Sequence, residues 1–235
     1  MKQNWKELLV FFIVLLSILT CQQVGNKIDI GTKTKITKKI DTTSQSDTIN
    51  IISQPIIDLT FADTIVFHKI ISTNKQWNYN WNYYISDIIK ENDKTFIDND
   101  SLYKEDILKL CTDYYTFSYN QKIAFWTLFI VDICYYESAF KSNCRYQEPV
   151  SLNYVYSEGL MQLSYGDERG YKNVLLDTKK QNILDPEVNL KTGVVIFTKQ
   201  LQVRKTLFTH KFFYWSVLSK RQPQMIKFFK DNFNK

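Results

Sequence analysis

The sequence has few of the side chains that proteins use to hold transition-metal ions. Its 235 residues include two histidines and four cysteines. His68 and His210 lie far apart, and neither has a cysteine or a carboxylate at the spacing of a metal ligand. Because such sites are built from clustered His, Cys, Asp and Glu side chains, no metal site is expected.

The patterns of nucleic-acid-binding proteins are also missing. There is no glycine-aromatic RNA motif, no zinc pattern and no arginine-rich block. The net charge of +6 is modest, and its Lys and Arg residues are spread along the chain, with some density after Arg204. A solvated basic surface is therefore the better interpretation, and no nucleic-acid partner is expected.

A long apolar run is missing too, although the N-terminus carries a short one. Residues 8–19 are apolar apart from Ser17, and they follow Lys2 and Lys6. This run is too short for a comfortable transmembrane helix, which needs about 20 residues. A charged start followed by a short apolar region is typical of an export signal, and we predict one over residues 1–20.

Cys21 follows this signal directly. Residues 18–21 resemble a bacterial lipobox, in which the cysteine is lipidated and becomes the first residue of the mature protein, although Thr20 departs from the usual Gly, Ala or Ser. This resemblance implies an exported protein of the bacterial cell envelope, periplasmic or associated with the outer membrane, with a lipid anchor on Cys21. An uncleaved short anchor and a signal cut elsewhere are the alternatives.

Lipidation of Cys21 would leave an odd number of cysteines for disulfide formation. Cys111, Cys134 and Cys144 remain, so at most one pair can form within the chain. A Cys134–Cys144 pair is favoured because the two are close in sequence. The alternative is that Cys134 is a buried, small apolar residue.

The chain changes character near residue 75. Residues 21–74 are predicted to be a largely flexible tether, because residues 22–55 are rich in Thr, Ser, Lys and Asp and show no helical period. A loose β segment is the alternative for this region. Residues 75–235 are predicted to form one mainly α domain, which begins with two amphipathic helices around Ile85 and Ile107 and a polar connection over residues 92–100.

The most apolar segment of this domain ends at a carboxylate. Ser118 and Gln121 have the spacing of a capping box, which predicts a helix that starts there and runs to about Ser138. This helix is apolar on nearly every face and should be the buried centre of the domain. It carries Glu137 on the same face as Ile133 and Cys134, an apolar setting that would raise the pKa of the carboxyl group and suit it to general-acid chemistry.

Two further motifs follow downstream. A second motif is Ser157-Glu158-Gly159-Leu160-Met161-Gln162-Leu163. Its glycine permits close approach of the backbone, and Met161 and Gln162 could line a sugar site with flat apolar contact and amide hydrogen bonds. The sequence Asp185-Pro186-Glu187-Val188-Asn189 predicts another helix, with Asp185 as N-cap and Pro186 in the first turn. Gly193 within that helix would allow close packing against a neighbour.

Together these motifs resemble the signatures of the soluble lytic transglycosylase family, which has a lysozyme-like fold. They are Glu137-Ser138-x-Phe140, Gly159-Leu160-Met161-Gln162-Leu163 and Asp185-Pro186-x-x-Asn189 with Gly193, in the family's order over about residues 118–220. The interval from Phe140 to Gly159 is longer than in that family, and we expect it to border the groove in which that family binds its glycan substrate.

The resemblance implies a fold, a reaction and a set of site residues. The fold would be a lysozyme-like helical domain whose buried central helix ends at the catalytic Glu137. Glu137 would be the sole acid and base for cleavage of peptidoglycan glycan strands between N-acetylmuramic acid and N-acetylglucosamine, with 1,6-anhydro products and no cofactor. The substrate-binding residues would be Ser157, Met161, Gln162 and Tyr214.

Three matters are open at this stage. The segment after Tyr214 departs from the family's usual Tyr-Asn-Ala-Gly. The nearest candidates for a second carboxylate, Glu148, Glu158 and Asp167, are expected to be solvated loop charges. The alternatives to a transglycosylase are a lysozyme-type hydrolase on the same fold and an inactive lipoprotein that binds peptidoglycan.

Overall fold

The computed structural model describes residues 77–148, 155–208 and 214–233. The predicted signal segment, the tether and Cys21 lie outside the described residues. The described α-helices are α1 (Asn80–Glu91), α2 (Lys104–Leu110), α3 (Tyr119–Ser138), α4 (Asp167–Gly170), α5 (Pro186–Arg204), α6 (Val217–Lys220) and α7 (Gln222–Phe233). The predicted mainly α, lysozyme-like fold is confirmed.

Helix α3 is the centre of the domain. Ser118 is its N-cap: the Ser118 hydroxyl accepts a hydrogen bond from the backbone N–H of Gln121, and the Gln121 side chain accepts one from the Ser118 N–H. Every residue from Ile123 to Cys134 is buried. Helices α1, α6 and α7 pack against it, so α3 is enclosed on several sides, as its continuous apolar sequence predicts.

Aromatic rings fill much of the space around α3. Phe125 packs on Phe229 of α7 with ring centroids 4.7 Å apart, and Trp126 packs edge-on against Phe96 at 5.1 Å. The indole N–H of Trp126 donates to the hydroxyl of Tyr114 at 3.0 Å, so this buried polar group is satisfied. These contacts fix the position and rotation of α3 and of the residues at its C-terminal end.

The predicted polar connection between the first two helices is itself helical. A π-helix (Lys94–Asp98) and a 3₁₀-helix (Asp100–Tyr103) occupy it, and the second runs directly into α2. Thr95 and Phe96 are buried there, because Phe96 fills the gap between Trp126 and Phe197. The connection is therefore polar in sequence, as predicted, but helical in structure, since the apolar ring of Phe96 ties it to the core.

A small sheet lies beyond α3, in the long interval that precedes Gly159. Strands β1 (Arg145–Gln147) and β2 (Tyr156–Glu158) pair antiparallel, with Tyr146 opposite Ser157. The Glu148 N–H extends the ladder by donating to the carbonyl of Val155 at 2.9 Å. This hairpin carries Glu148 and Ser157 together.

Helix α5 packs against α1 and begins as the sequence predicts. The Asp185 carboxylate accepts hydrogen bonds from the N–H groups of Glu187 and Val188, and Pro186 is the first helical residue. None of the described helices combines the length and the apolar character required to cross a bilayer.

Candidate active site

Glu137 occupies the last turn of α3, at a sharp change of chain direction. Ala139 and Phe140 follow with φ of 50° and 65°, two successive left-handed residues that are not glycine. The turn is held by the Ser138 hydroxyl, which donates to the Cys134 carbonyl at 3.0 Å, and by the buried ring of Phe140, which packs on Trp77 at 4.9 Å. Non-glycine residues in this conformation cost energy and often occur beside functional groups.

The surroundings of Glu137 favour its protonated form. Its side chain is half-buried, and desolvation by the protein around it is the largest influence, raising its pKa to about 8. The charges of Arg221 and Lys220 lower this pKa, and the charge of Glu148 raises it. Glu137 is therefore largely protonated at neutral pH, which confirms the raised pKa predicted from its apolar face.

The hairpin brings a second carboxylate into the electrostatic environment of Glu137. Glu148 is half-buried, and its Oε1 accepts a hydrogen bond from the Ser157 hydroxyl at 2.7 Å. Its charge also raises the pKa of Tyr146, after the larger effect of burial. The expectation that Glu148 is a solvated loop charge was therefore wrong, because the hairpin holds it in place.

The other two carboxylates also have structural partners. Glu158 is buried and forms an ion pair with Arg145 across the hairpin. Asp167 accepts hydrogen bonds from the Ser164 N–H at 2.9 Å and from the Tyr214 hydroxyl at 2.6 Å. Neither Glu158 nor Asp167 is a solvated loop charge, so the expectation was wrong for both residues.

The turn that begins at Gly159 is braced from two sides. Gly159 has a φ of 78°, and a Cβ there would lie 2.3 Å from Nδ2 of Asn189. Asn189 is fully buried: its Oδ1 accepts from the Met161 N–H at 2.8 Å, and its Nδ2 donates to the Glu158 carbonyl at 3.0 Å. The Trp215 indole N–H donates to the Met161 carbonyl at 2.8 Å. The two downstream motifs therefore meet here.

Met161 lies behind this turn. Its side chain is fully buried, and a Cβ on Gly193 would lie 2.1 Å from its Sδ. Gly193 therefore provides the close approach that the sequence predicts. The side chain of Met161 has no surface with which to contact a glycan, so it supports the turn.

Gln162 and Ser157 use their polar groups within the protein. The Gln162 side-chain amide donates to the Gly159 carbonyl at 2.8 Å and to the Cys144 carbonyl at 3.4 Å, and the residue is 9% exposed. Ser157 is half-buried and donates to Glu148. Of the four predicted substrate-binding residues, Ser157 is the one joined to the surroundings of Glu137 by a described contact.

Tyr214 belongs to a different cluster. Its hydroxyl donates to Asp167, and its ring packs on Trp215 at 4.7 Å and on Tyr171 at 6.4 Å. Burial, together with the charge of Asp167, raises the pKa of Tyr214 well above its usual value. The described contacts place Tyr214 beside the Gly159–Leu163 turn through Trp215, without linking it to Glu137.

The predicted cysteine pair is wrong. Cys134 and Cys111 are buried free thiols, whereas Cys144 is disulfide-bonded. The alternative interpretation of Cys134 holds, because this fully buried residue packs within α3 as a small apolar side chain.

Sequence reasoning misjudged one charged residue that acts on Glu137 and missed another. It named Glu148 as a candidate second carboxylate, but it gave no sign of the hairpin that holds this side chain. The other is Arg221, at the junction of α6 and α7, whose guanidinium lies 5.8 Å from the ring centre of Tyr136. Within the described ranges there is no group of three or more His, Cys, Asp or Glu side chains that could hold a metal ion.

Comparisons with known proteins support the fold. No family model matches the sequence, and no curated protein does either. Three solved chains match, all of the Bdellovibrio protein DslA (Bd0314): the wild type and two glutamate-to-glutamine mutants. Each is 22% identical, with a TM-score of 0.52 over 65% of this chain and 89% of DslA. This similarity shows a shared fold.

Proposed function

We propose that this protein cleaves the β-1,4 glycosidic bond between N-acetylmuramic acid and N-acetylglucosamine in peptidoglycan, with Glu137 as the acid. The observation that carries the proposal is a half-buried glutamic acid at the end of the central helix, with a pKa of about 8. Such a group holds a transferable proton at neutral pH, which a glycosidic oxygen needs in order to leave.

The first candidate reaction is lytic transglycosylation, as the motif resemblance implies. Glu137 donates its proton to the glycosidic oxygen as the bond from that oxygen to muramoyl C1 breaks. The resulting carboxylate then takes the proton from the muramoyl C6 hydroxyl, whose oxygen forms the new bond to C1. Glu137 ends the cycle protonated, and the product carries a 1,6-anhydro ring. Since the nucleophile belongs to the same sugar, proximity replaces an activated water.

The second candidate is hydrolysis, and Glu148 is the observation that favours it. In this reaction a water oxygen attacks C1 and passes a proton to the Glu148 carboxylate, while Glu137 protonates the leaving oxygen. Enzymes that invert the anomeric centre need such a second carboxylate about 6.5–9.5 Å from the first. The hydrogen bond from Ser157 to Oε1 holds the Glu148 side chain in a defined orientation.

The spacing of Glu137 and Glu148 recurs in the DslA mutants. The two glutamates that were mutated in DslA lie eleven residues apart in that protein. Glu137 and Glu148 are also eleven residues apart in this chain. This shared spacing, on a shared fold, is a reason to test both glutamates by substitution.

Product analysis separates the candidates. Purified peptidoglycan is digested with the mature protein, and the soluble fragments are measured by mass spectrometry. Transglycosylation gives anhydromuramoyl ends, and Glu148→Gln retains this activity. Hydrolysis gives reducing ends, and each cleaved bond adds one water, about 18 Da, to the products. Glu148→Gln should lose the hydrolytic activity. Binding to peptidoglycan with neither product would identify a non-catalytic wall-binding protein and contradict the proposal.

The location of the protein is a separate proposal, drawn from residues outside the described ranges. We propose an exported protein held at the cell envelope by a lipid on Cys21. The sequence contains four cysteines, and Cys111 and Cys134 are free. Cys144 is disulfide-bonded, and a lipid on the Cys21 sulfur would exclude Cys21 from that bond. The mass of the mature protein before and after reduction tests this: a lipid-modified N-terminal cysteine supports the anchor, and a Cys21–Cys144 disulfide contradicts it.

A further inference from the structure

Two cations adjoin the candidate acid where α6 meets α7. Arg221 is half-buried and Lys220 is exposed, and the charges of both act on Glu137. The guanidinium of Arg221 is 5.8 Å from the ring centre of Tyr136, the residue that directly precedes Glu137. The backbone N–H of Arg221 donates to the Val217 carbonyl at 2.9 Å, so the end of α6 fixes its position.

Within the described residues, neither cation forms an ion pair. Elsewhere in the described residues, the half-buried cations Lys122 and Lys191 are paired, with Asp100 and Glu187 respectively. Glu137 is a poor counter-charge because it is largely neutral at pH 7. Glu148 accepts its described hydrogen bond from Ser157 and makes no salt bridge to Arg221 or Lys220.

Packing against Tyr136 gives Arg221 a defined position. An arginine stacked on an aromatic ring keeps the edge of its planar guanidinium available for hydrogen bonds. A planar fork of N–H donors matches the two oxygens of a carboxylate, and Lys220 adds a second positive charge beside it. The chemistry of this corner therefore fits a carboxylate ligand.

A peptidoglycan strand supplies carboxylates close to the bond that is cleaved. Each muramoyl sugar has a lactyl group, whose carboxyl is either free or joined to a stem peptide that carries its own carboxylates. We propose that Arg221, assisted by Lys220, binds a carboxylate of the muramoyl unit and so selects glycan that carries one. This inference rests on the proposed function, since it assigns a specificity role to the same site.

The test compares three substrates made from one peptidoglycan preparation. The first retains its stem peptides, the second has lost them and carries free lactyl carboxylates, and the third is the second with those carboxylates converted to methylamides. KM is measured for each with the unchanged mature protein, Arg221→Gln and Lys230→Gln. Lys230 is an exposed cation on α7 and serves as the control for loss of one positive charge.

We expect Arg221→Gln to raise KM roughly 10- to 100-fold on a carboxylate-bearing substrate, the effect of losing a charge-assisted hydrogen bond. Arg221→Gln should leave KM on the methylamide substrate unchanged. Lys230→Gln should have the same KM as the unchanged protein on every substrate. An effect on the free-lactyl strand identifies the lactyl group as the ligand, whereas an effect confined to the first substrate identifies the stem peptide. The inference would be overturned if the unchanged protein had the same KM on all three substrates. It would also be overturned if Arg221→Gln raised KM equally on all three.

A pH profile gives an independent readout. The positive charge of Arg221 lowers the pKa of Glu137, so Arg221→Gln should move the alkaline limb of activity to higher pH, even on the methylamide. An unmoved limb would contradict the placement of the guanidinium beside Glu137. Failure of the unchanged protein to cleave any of the three substrates would instead contradict the proposed function.

Discussion

Two carboxyl groups on α3 show how position decides what a buried acid can do. Asp132 is fully buried, neither of its oxygens has a hydrogen-bond partner within the described residues, and burial raises its pKa well above the usual value. Glu137 also has a raised pKa, but it is half-buried and has charged neighbours. Only Glu137 can exchange a proton with a ligand at the surface. The burial of Asp132 instead lowers the free energy of unfolding.

The protonation of Glu137 predicts the pH dependence of cleavage. The acid form is the active one, so kcat/KM should fall about tenfold per pH unit once the pH exceeds the pKa, which is about 8. The negative charge of Glu148 raises this pKa, so in the transglycosylase reaction, where Glu148→Gln stays active, that variant should show the fall at lower pH. The measurement is the pH profile of the unchanged protein and the variant. A fall centred near pH 4 or 5 would contradict the environment described for Glu137.

Asp132 predicts a pH dependence of stability. In the unfolded chain this carboxyl loses its proton near pH 4, whereas in the folded protein burial keeps it protonated. The folded state then binds one more proton, so the free energy of unfolding falls as pH rises above about 4, by on the order of 1 kcal/mol per pH unit, up to the folded pKa. Asp132→Asn removes this slope because an amide does not titrate.

Urea unfolding of both proteins at several pH values between 5 and 8 measures the effect. The stability of Asp132→Asn relative to the unchanged protein should increase across that range. A difference that does not vary with pH would show that Asp132 is ionised in the folded protein. Glu137 titrates in the same range, but it is present in both proteins and cancels in the comparison.

At the scale of elements, glycines and an asparagine set the geometry between α5 and the turn at Gly159. Asn189 on α5 bonds to both sides of that turn, and Gly193, one helical turn later, accommodates Met161. The sequence predicts the close approach at Gly193, because a glycine inside a helix costs stability unless a neighbour uses the space. It does not predict which neighbour, since the contact joins residues far apart in the chain.

A substitution on α5 tests this packing. Gly193→Ala would place a Cβ 2.1 Å from the Met161 Sδ, so the buried methionine must move. We expect the variant to lose about 1–3 kcal/mol of unfolding free energy despite alanine's better helix propensity. Gly170→Ala is the control, because a Cβ there would meet nothing within 4 Å. Chemical denaturation compares the two, and equal stability would argue against close α5 packing on Met161.

At the scale of the whole molecule, local signals predicted more than long-range ones did. The capping box at Ser118, the N-cap at Asp185 and the apolar length of α3 are local, and each predicted element is present. The hairpin and the ion pair of Arg145 with Glu158 depend on residues thirteen positions apart, whose pairing a single sequence does not reveal. For the same reason, the sequence did not reveal that Met161 and Gln162 are buried, that the hairpin holds Glu148, or that the charge of Arg221 acts on Glu137.

The central claim is that the fold presents Glu137 as a proton donor, and one substitution tests it. Glu137→Gln keeps the size of the side chain and removes its transferable proton. It should unfold at the same temperature as the unchanged protein or slightly higher, because the substitution removes a carboxyl group whose charged form burial disfavours. The control Glu105→Gln changes an exposed glutamate in the first turn of α2.

The measurement is the rate at which the mature protein releases soluble fragments from purified peptidoglycan. We expect Glu137→Gln to lose about 10²- to 10⁴-fold in rate, the usual contribution of general-acid catalysis, with binding to the wall material retained. Glu105→Gln should release fragments as fast as the unchanged protein. A folded Glu137→Gln variant that releases fragments as fast as the unchanged protein would contradict the claim that Glu137 is the proton donor.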